Sequence, residues 1–347
     1  MRCALAAGRS WIWRLAGLAL VAACHTAPTP DRPRPVLQCP ADLTKPALIV
    51  PPTLVHVERQ ADGTETGELD GAGERVHFTR WWTGHRQGGE PPIVLLVPIL
   101  AGGEDLMHSV AEGLVDRGFD VALCRRVASA LKPPQRGPEL EDLFRRTILH
   151  QRVLLAWLRE QAGEPVEICV MGLSLGGMVG TTLAAIEPSI RGVTVCLSGG
   201  DLGDLVTASS ESRVQRWRSW RHREDGVGDD HLRQELRQQL AHEPLRAARA
   251  VPTGTVLFVG GAFDTVVPEH HQDLLWEALG RPRRLTLPLG HYSAFLALET
   301  VLDAAAEHFR GCLARRRPDA EFVRTWPVRP LAPPRSRRFD PLPRSRA

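Results

Sequence analysis

The chain has 347 residues, 43% of them hydrophobic and 24% charged, which suits one large α/β domain or two small ones. Its net charge of +3 is unevenly spread: from Cys312 onward ten Arg oppose Asp319, Glu321 and Asp340, and the first 23 residues carry Arg2, Arg9 and Arg14 with no acid. Taking the tail's +7 and the leader's +3 from the total leaves the body at about −7, which argues against a nucleic-acid-binding surface there.

Behind the basic leader, Leu15 to Ala23 forms an apolar core, shorter than the roughly 20 residues that span a bilayer. It ends in Val21-Ala22-Ala23-Cys24, which resembles the lipobox of bacterial lipoprotein signal peptides. The resemblance implies a signal peptide over 1–23, cleavage before Cys24 and acylation of its thiol. An ordinary secretory signal is the alternative. His25 stands where an aspartate is associated with inner-membrane retention, so the expected location is the bacterial cell envelope, at the outer membrane. A membrane reached through this anchor is the expected partner. Residues 24–45, rich in Pro from Ala27 to Pro35, read as a tether. Export permits disulfides, and Cys39 and Cys312 lie near the two ends of the domain as a candidate pair. Cys124, Cys169 and Cys196 fall in apolar runs and read as buried small hydrophobes. No spacing points to a zinc site, and neither metal nor cofactor is expected.

Leu54 to Val57 and Val76 to Trp82 read as strands joined by the turn-rich "ADGTETGELDGAGE", an edge hairpin. Ile93 to Val97 is continuously apolar, the mark of a strand buried on both faces. A helix over Leu106 to Arg117 and a strand over Phe119 to Cys124 follow. A Pro-rich loop then leads to a long helix from Glu139 to about Gln161. Val166 to Met171 is the next strand, and from Leu175 apolar residues recur at helical spacing. Val193 to Leu197 is again strand-like. Asp201 to Val251 breaks the alternation: Leu232, Leu236 and Leu240 share a helical face, and "RVQRWRSWRHR" reads as a basic helix with a solvated face. The segment is taken as a small helical cap. Beyond it come a strand (Thr255 to Val259), a helix (Glu269 to Leu279), a short strand (Arg284 to Leu287) and a last helix (Ala294 to Phe309). The domain is set at 46–311, with the Arg- and Pro-rich 312–347 read as a disordered tail. Strands alternating with helices predict a mostly parallel sheet covered on both faces.

Gly172-Leu173-Ser174-Leu175-Gly176 matches G-x-S-x-G between the predicted strand and helix, where the motif must sit. A strand turning into a helix within a few residues leaves no room for a β-carbon beside the serine, and it exposes the hydroxyl. Asp264 follows Gly260-Gly261 at the end of a strand, and His291 follows Gly290 at the end of the next. All three belong to the carboxyl rim of the sheet, where ligands bind in such folds. Serine is a poor nucleophile until an imidazole takes its proton, and a carboxylate fixes the imidazole tautomer. Asp201 and Asp204 are rival acids; His270 and His271 are placed on a helix, facing solvent.

"GLSLGG", "GAFDTVVP" and "GHYS", in this order and spacing, resemble the nucleophile elbow, acid loop and histidine loop of the α/β-hydrolase superfamily over about Pro46 to Gly311. The likeness is nearest to its dienelactone-hydrolase or prolyl-oligopeptidase-like branch. The resemblance implies an α/β-hydrolase fold and a serine hydrolase that cleaves a small-molecule or lipid-like ester through an acyl-enzyme on Ser174. Asp264 and His291 are its implied partners, and the backbone N–H groups of Leu100 and Leu175 its oxyanion hole, with Ile99 in reserve. The chain departs from the family in reading Val97-Pro98-Ile99-Leu100 where many members carry His-Gly, and Pro98 has no N–H to donate. A catalytically silent hydrolase fold used for binding or assembly is the main alternative, and acyl transfer to an acceptor other than water is a third.

Overall fold

The computed structural model describes residues 52–83, 91–100, 103–127, 131–162, 166–187 and 189–315, with the backbone of three short strands at Cys24–Thr26, Leu37–Cys39 and Val328–Pro330. The proposed signal peptide and most of the tether and tail lie outside these residues. Within the tail, Val328–Pro330 pairs in parallel with Leu37–Cys39.

Besides Cys24–Thr26, the main ten-stranded sheet comprises β1 (Thr53–Arg59), β2 (Glu65–Gly71), β3 (Glu74–Trp81), β4 (Ile93–Val97), β5 (Asp120–Cys124), β6 (Ile168–Leu173), β7 (Ile190–Cys196), β8 (Val256–Gly261) and β9 (Arg283–Leu287). Their spatial order is 1-2-3-5-4-6-7-8-9. Strands β5, β4, β6, β7, β8 and β9 run parallel, and β1 to β3 extend one edge antiparallel. Cys24–Thr26 pairs antiparallel with β9 at the opposite edge, Cys24 standing beside Thr286.

The period-2 geometry of β4 divides the core. Val94 and Leu96 join the cluster under α1 (Glu104–Val115) and α9 (Leu298–Leu313), while Ile93, Leu95 and Val97 join the one under α2 (Gly137–Ala162), α3 (Leu175–Ile186) and the cap. The fold reverses at β4. Its chain passes to β5 on one side, then returns to β6 on the other, which opens a crevice at the carboxyl ends of β4 and β6.

The expected hairpin is a three-stranded meander. β2 lies inside the stretch read as a turn, because its inward positions are Gly67 and Leu69, too few apolar side chains to give a strand signal. Gly67 is required there: a β-carbon would come within 2.6 Å of the Phe78 ring. The cap between β7 and β8 comprises α4 (Leu202–Ala208), α5 (Ser212–Glu224), α6 (Asp229–Gln239) and α7 (Pro244–Ala248). Leu232, Leu236 and Leu240 are buried, as their spacing predicts. Helix α5 is less solvated than expected. Trp217 is fully buried and donates Nε1–H to Gln135 O at 2.7 Å, and buried Arg221 pairs with Glu235 at 2.8 Å. The last helix is broken, a 3₁₀ turn over Ser293–Ala297 preceding α9. Cys124, Cys169, Cys196 and Cys312 are free and buried, so the Cys39–Cys312 pairing is not formed.

Candidate active site

Strand β6 runs directly into α3, with Ser174 as N-cap at φ 54°, ψ −122°, a region that residues with a β-carbon rarely adopt. The flanking glycines explain how the chain fits. A β-carbon on Gly172 would lie 2.1 Å from Gly176 O, and one on Gly176 would lie 2.3 Å from Val97 O. The second contact means that the end of β4 packs on the first turn of α3, bringing Ile99 and Leu100 to the same cavity as Leu175. The elbow is tied to β7: Ser174 N–H donates to Cys196 O at 2.8 Å, and the buried Ser198 hydroxyl lies 2.7 Å from Ser174 O.

Strands β8 and β9 deliver the other two groups. Their parallel register sets Gly261 beside Leu287, and Ala262 and Phe263 continue the pairing by donating to Leu287 O and Leu289 O. Gly261 must be glycine because a β-carbon would sit 2.8 Å from Leu289 O. The loops so joined place Asp264 Oδ2 2.7 Å from His291 Nδ1, and His291 Nε2 3.1 Å from Ser174 Oγ. Asp264 Oδ1 accepts from the N–H groups of Val266 and Val267 at 2.9 and 2.8 Å, so both oxygens of this buried carboxylate are engaged.

The rival residues are committed elsewhere. Asp201 caps α4 and is held by Arg237, whose guanidinium keeps its carboxyl below the usual range. Asp204 pairs with Arg233. His270 is exposed as expected, but His271 is not: it is buried against Gly200 O at 3.0 Å, and burial lowers its pKa. Helix α8 (Glu269–Ala278) turns that side toward the base of the cap, which its polar composition hides.

Two positioning residues have no sequence signature. Ser198 occupies the space left by Gly177, and Gln272 clamps the acid loop. The buried Gln272 amide accepts from Gly261 N–H at 3.0 Å and donates to Gly261 O and Val267 O at 3.0 and 2.8 Å. Both act through the backbone of other elements, so no local motif announces them.

A cavity of about 1710 Å³ opens at Ser174 and His291. The cap contributes Leu202, Leu205, Val206 and Val214 to its wall rather than Trp217 or Trp220. The cap is fastened to the acid loop, with Ser209 donating to Val266 O at 2.7 Å and Ser210 N–H to Thr265 O at 3.0 Å. Among the described residues no group of three His, Cys, Asp or Glu side chains is placed to hold a metal ion.

No family model matches the chain. Two uncharacterized proteins of Mycobacterium tuberculosis, from strains CDC 1551 and H37Rv, are each 28% identical to it over 145 residues, covering 42% of this chain. The aligned stretch spans only 32% of the length of these curated relatives. Among solved structures, acetyl xylan esterase 1 from Thermoanaerobacterium sp. JW/SL YS485 superposes with a TM-score of 0.54 at 19% identity, covering 77% of this chain and 95% of that one. The 2,6-dihydroxy-pseudo-oxynicotine hydrolase gives 0.54 at 17% identity, covering 75% and 71%. Est1E from Butyrivibrio proteoclasticus gives 0.50 at 15%, covering 72% and 99%. At such identities the likeness is one of fold.

Proposed function

We propose that this chain, which has the α/β-hydrolase fold, is a serine hydrolase that cleaves a carboxylic ester through an acyl-enzyme on Ser174. The observation that carries the reading is the unbroken hydrogen-bonded series from Ser174 Oγ through His291 to Asp264 at the mouth of the cavity. His291 Nε2 accepts the Ser174 proton as Oγ bonds to the ester carbonyl carbon, then gives it to the departing alcohol oxygen as the C–O bond breaks. Water, deprotonated by the same nitrogen, releases the acid and restores Ser174. Asp264 holds the proton on Nδ1 and offsets the positive charge that His291 gains.

The oxyanion is assigned to the N–H groups of Leu175 and Leu100. Leu175 opens α3, where N–H groups lack intrahelical acceptors and the helix dipole favours negative charge. Packing of Val97 O against Gly176 supports the approach of the β4 loop. Donors of this kind are worth about 10²–10³ in rate.

Labelling with a small fluorophosphonate and mapping of the modified peptide tests the reading. The label is expected on Ser174 alone, lost in Ser174→Ala and strongly reduced in His291→Ala. An unlabelled Ser174 in folded protein would return the chain to the silent, binding-module reading. Product analysis in the presence of alcohols separates hydrolysis from acyl transfer.

The lipobox-like "LVAAC" supports a second part of the proposal, a lipid anchor on Cys24 at the outer membrane. Cys24→Ser is expected to move the protein from the detergent to the aqueous phase on phase separation; equal partitioning of both forms would dismiss the anchor.

A further inference from the structure

The cavity that reaches Ser174 has two unlike ends. Between α1 and the start of α9 it is charged, with Asp105, Asp116 and Arg117 in the wall and Arg117 paired to Glu299 and Asp303 at 2.9 and 2.6 Å. Under the cap it is apolar, walled by Leu140 and Phe144 of α2, Met178 of α3, Leu205 of α4, Val214 of α5 and Val267 of the acid loop, all buried. The polar groups on this side are already engaged. The Ser209 hydroxyl donates to Val266 O, and the Glu211 carboxylate accepts from Val214 N–H at 2.8 Å. Water in such a space finds few partners, so hydrocarbon replaces it favourably.

The direction of the chemistry decides which part of an ester goes there. His291 must reach the leaving oxygen, and on its side the cavity wall carries the exposed Tyr292, whose ring lies against His291, and Phe295. The alcohol therefore departs on the solvent side, and the acyl substituent points inward past Met178. We propose that the space under the cap is an acyl pocket for an unbranched chain of medium length, which makes the substrate a fatty-acyl ester rather than an acetyl ester. The inference rests on the serine hydrolase reading and adds the substrate class to it.

The test uses the whole protein and p-nitrophenyl esters from acetate to decanoate, a series in which only the acyl part changes. kcat/KM is expected to climb toward octanoate, by at most about fourfold per methylene at full burial. Leu205→Trp and Val214→Phe, on different cap helices, are each expected to lower the octanoate-to-acetate ratio tenfold or more. Without any substitution, octanoate should slow fluorophosphonate labelling of Ser174 at concentrations where acetate does not. A labelled Ser174 with acetate preferred, or with protection by neither acid, overturns the acyl pocket alone. An equal gain in kcat/KM along alkyl acetates of matching length, in which only the alcohol grows, overturns it as well. An unlabelled Ser174 overturns the hydrolase reading on which it stands.

Discussion

Ser174, the proposed nucleophile, sits on a backbone turned to φ 54°, a conformation that costs a residue with a β-carbon about 1–3 kcal/mol. Replacing it by glycine removes that strain and adds about 0.5–1 kcal/mol of unfolded-state entropy against folding. Ser174→Gly is therefore expected to be inactive yet more stable than wild type by about 1 kcal/mol, seen as a raised denaturant midpoint. Asp264→Asn tests the other end of the series. Its Oδ1 position can still accept from Val266 and Val267, so the loop survives, but an amide facing Nδ1 favours the wrong imidazole tautomer. A fall in kcat of about 10³–10⁴ with little change in the melting temperature is expected. Asp201→Asn, by contrast, loosens the contact with Arg237 and should leave kcat within a few-fold.

At the scale of elements, the turn from β6 to α3 allows no β-carbon at Gly172, where the clashing atom is a backbone carbonyl that cannot swing away. Gly172→Ala should cost about 3 kcal/mol, measured by chemical denaturation, and reduce labelling of Ser174 in whatever protein remains folded. Much of this frame was legible in the sequence. Strands β4 to β9 lie close to their predicted places because they are apolar runs bounded by Gly, Pro or polar loops. Ser174, Asp264 and His291 stood out because each ends such a run. β2 escaped because its core contribution is one leucine and one hydrogen atom of Gly67. Gln272, Ser198 and the burial of His271 escaped for another reason. Each is defined by a partner outside its own element, and the hydrophobic periodicity of the chain carries no record of that.

For the whole molecule, partly buried Glu243 and buried His308 give stability opposing responses to pH. Burial pushes the Glu243 carboxyl up to about 7 and the His308 imidazole down to about 4. Between Glu243's ordinary value of 4.5 and about 7, the folded state keeps a proton that the unfolded chain has lost, so stability falls as pH rises. Between about 4 and His308's ordinary 6.5, the unfolded chain holds a proton that the folded state refuses, so stability falls as pH drops. Each contribution is about 3 kcal/mol at full extent. Glu243→Gln should leave the His308 response uncovered, giving denaturant midpoints that rise more steeply from about pH 4.5 to 6.5 and no longer decline toward 7.

The cap's point of insertion has an evolutionary consequence. Its helices leave after β7 and rejoin before β8, whereas Ser174 hangs from β6 and β7 and the Asp264–His291 pair from β8 and β9. Relay and roof are thus encoded in separate stretches of chain, with Ser209 and Ser210 as their stitching to the acid loop. A lineage can exchange the roof, and with it the shape of the cavity, while the Ser174–His291–Asp264 series is inherited intact. The same seam marks where a cap from another chain of this fold would be grafted.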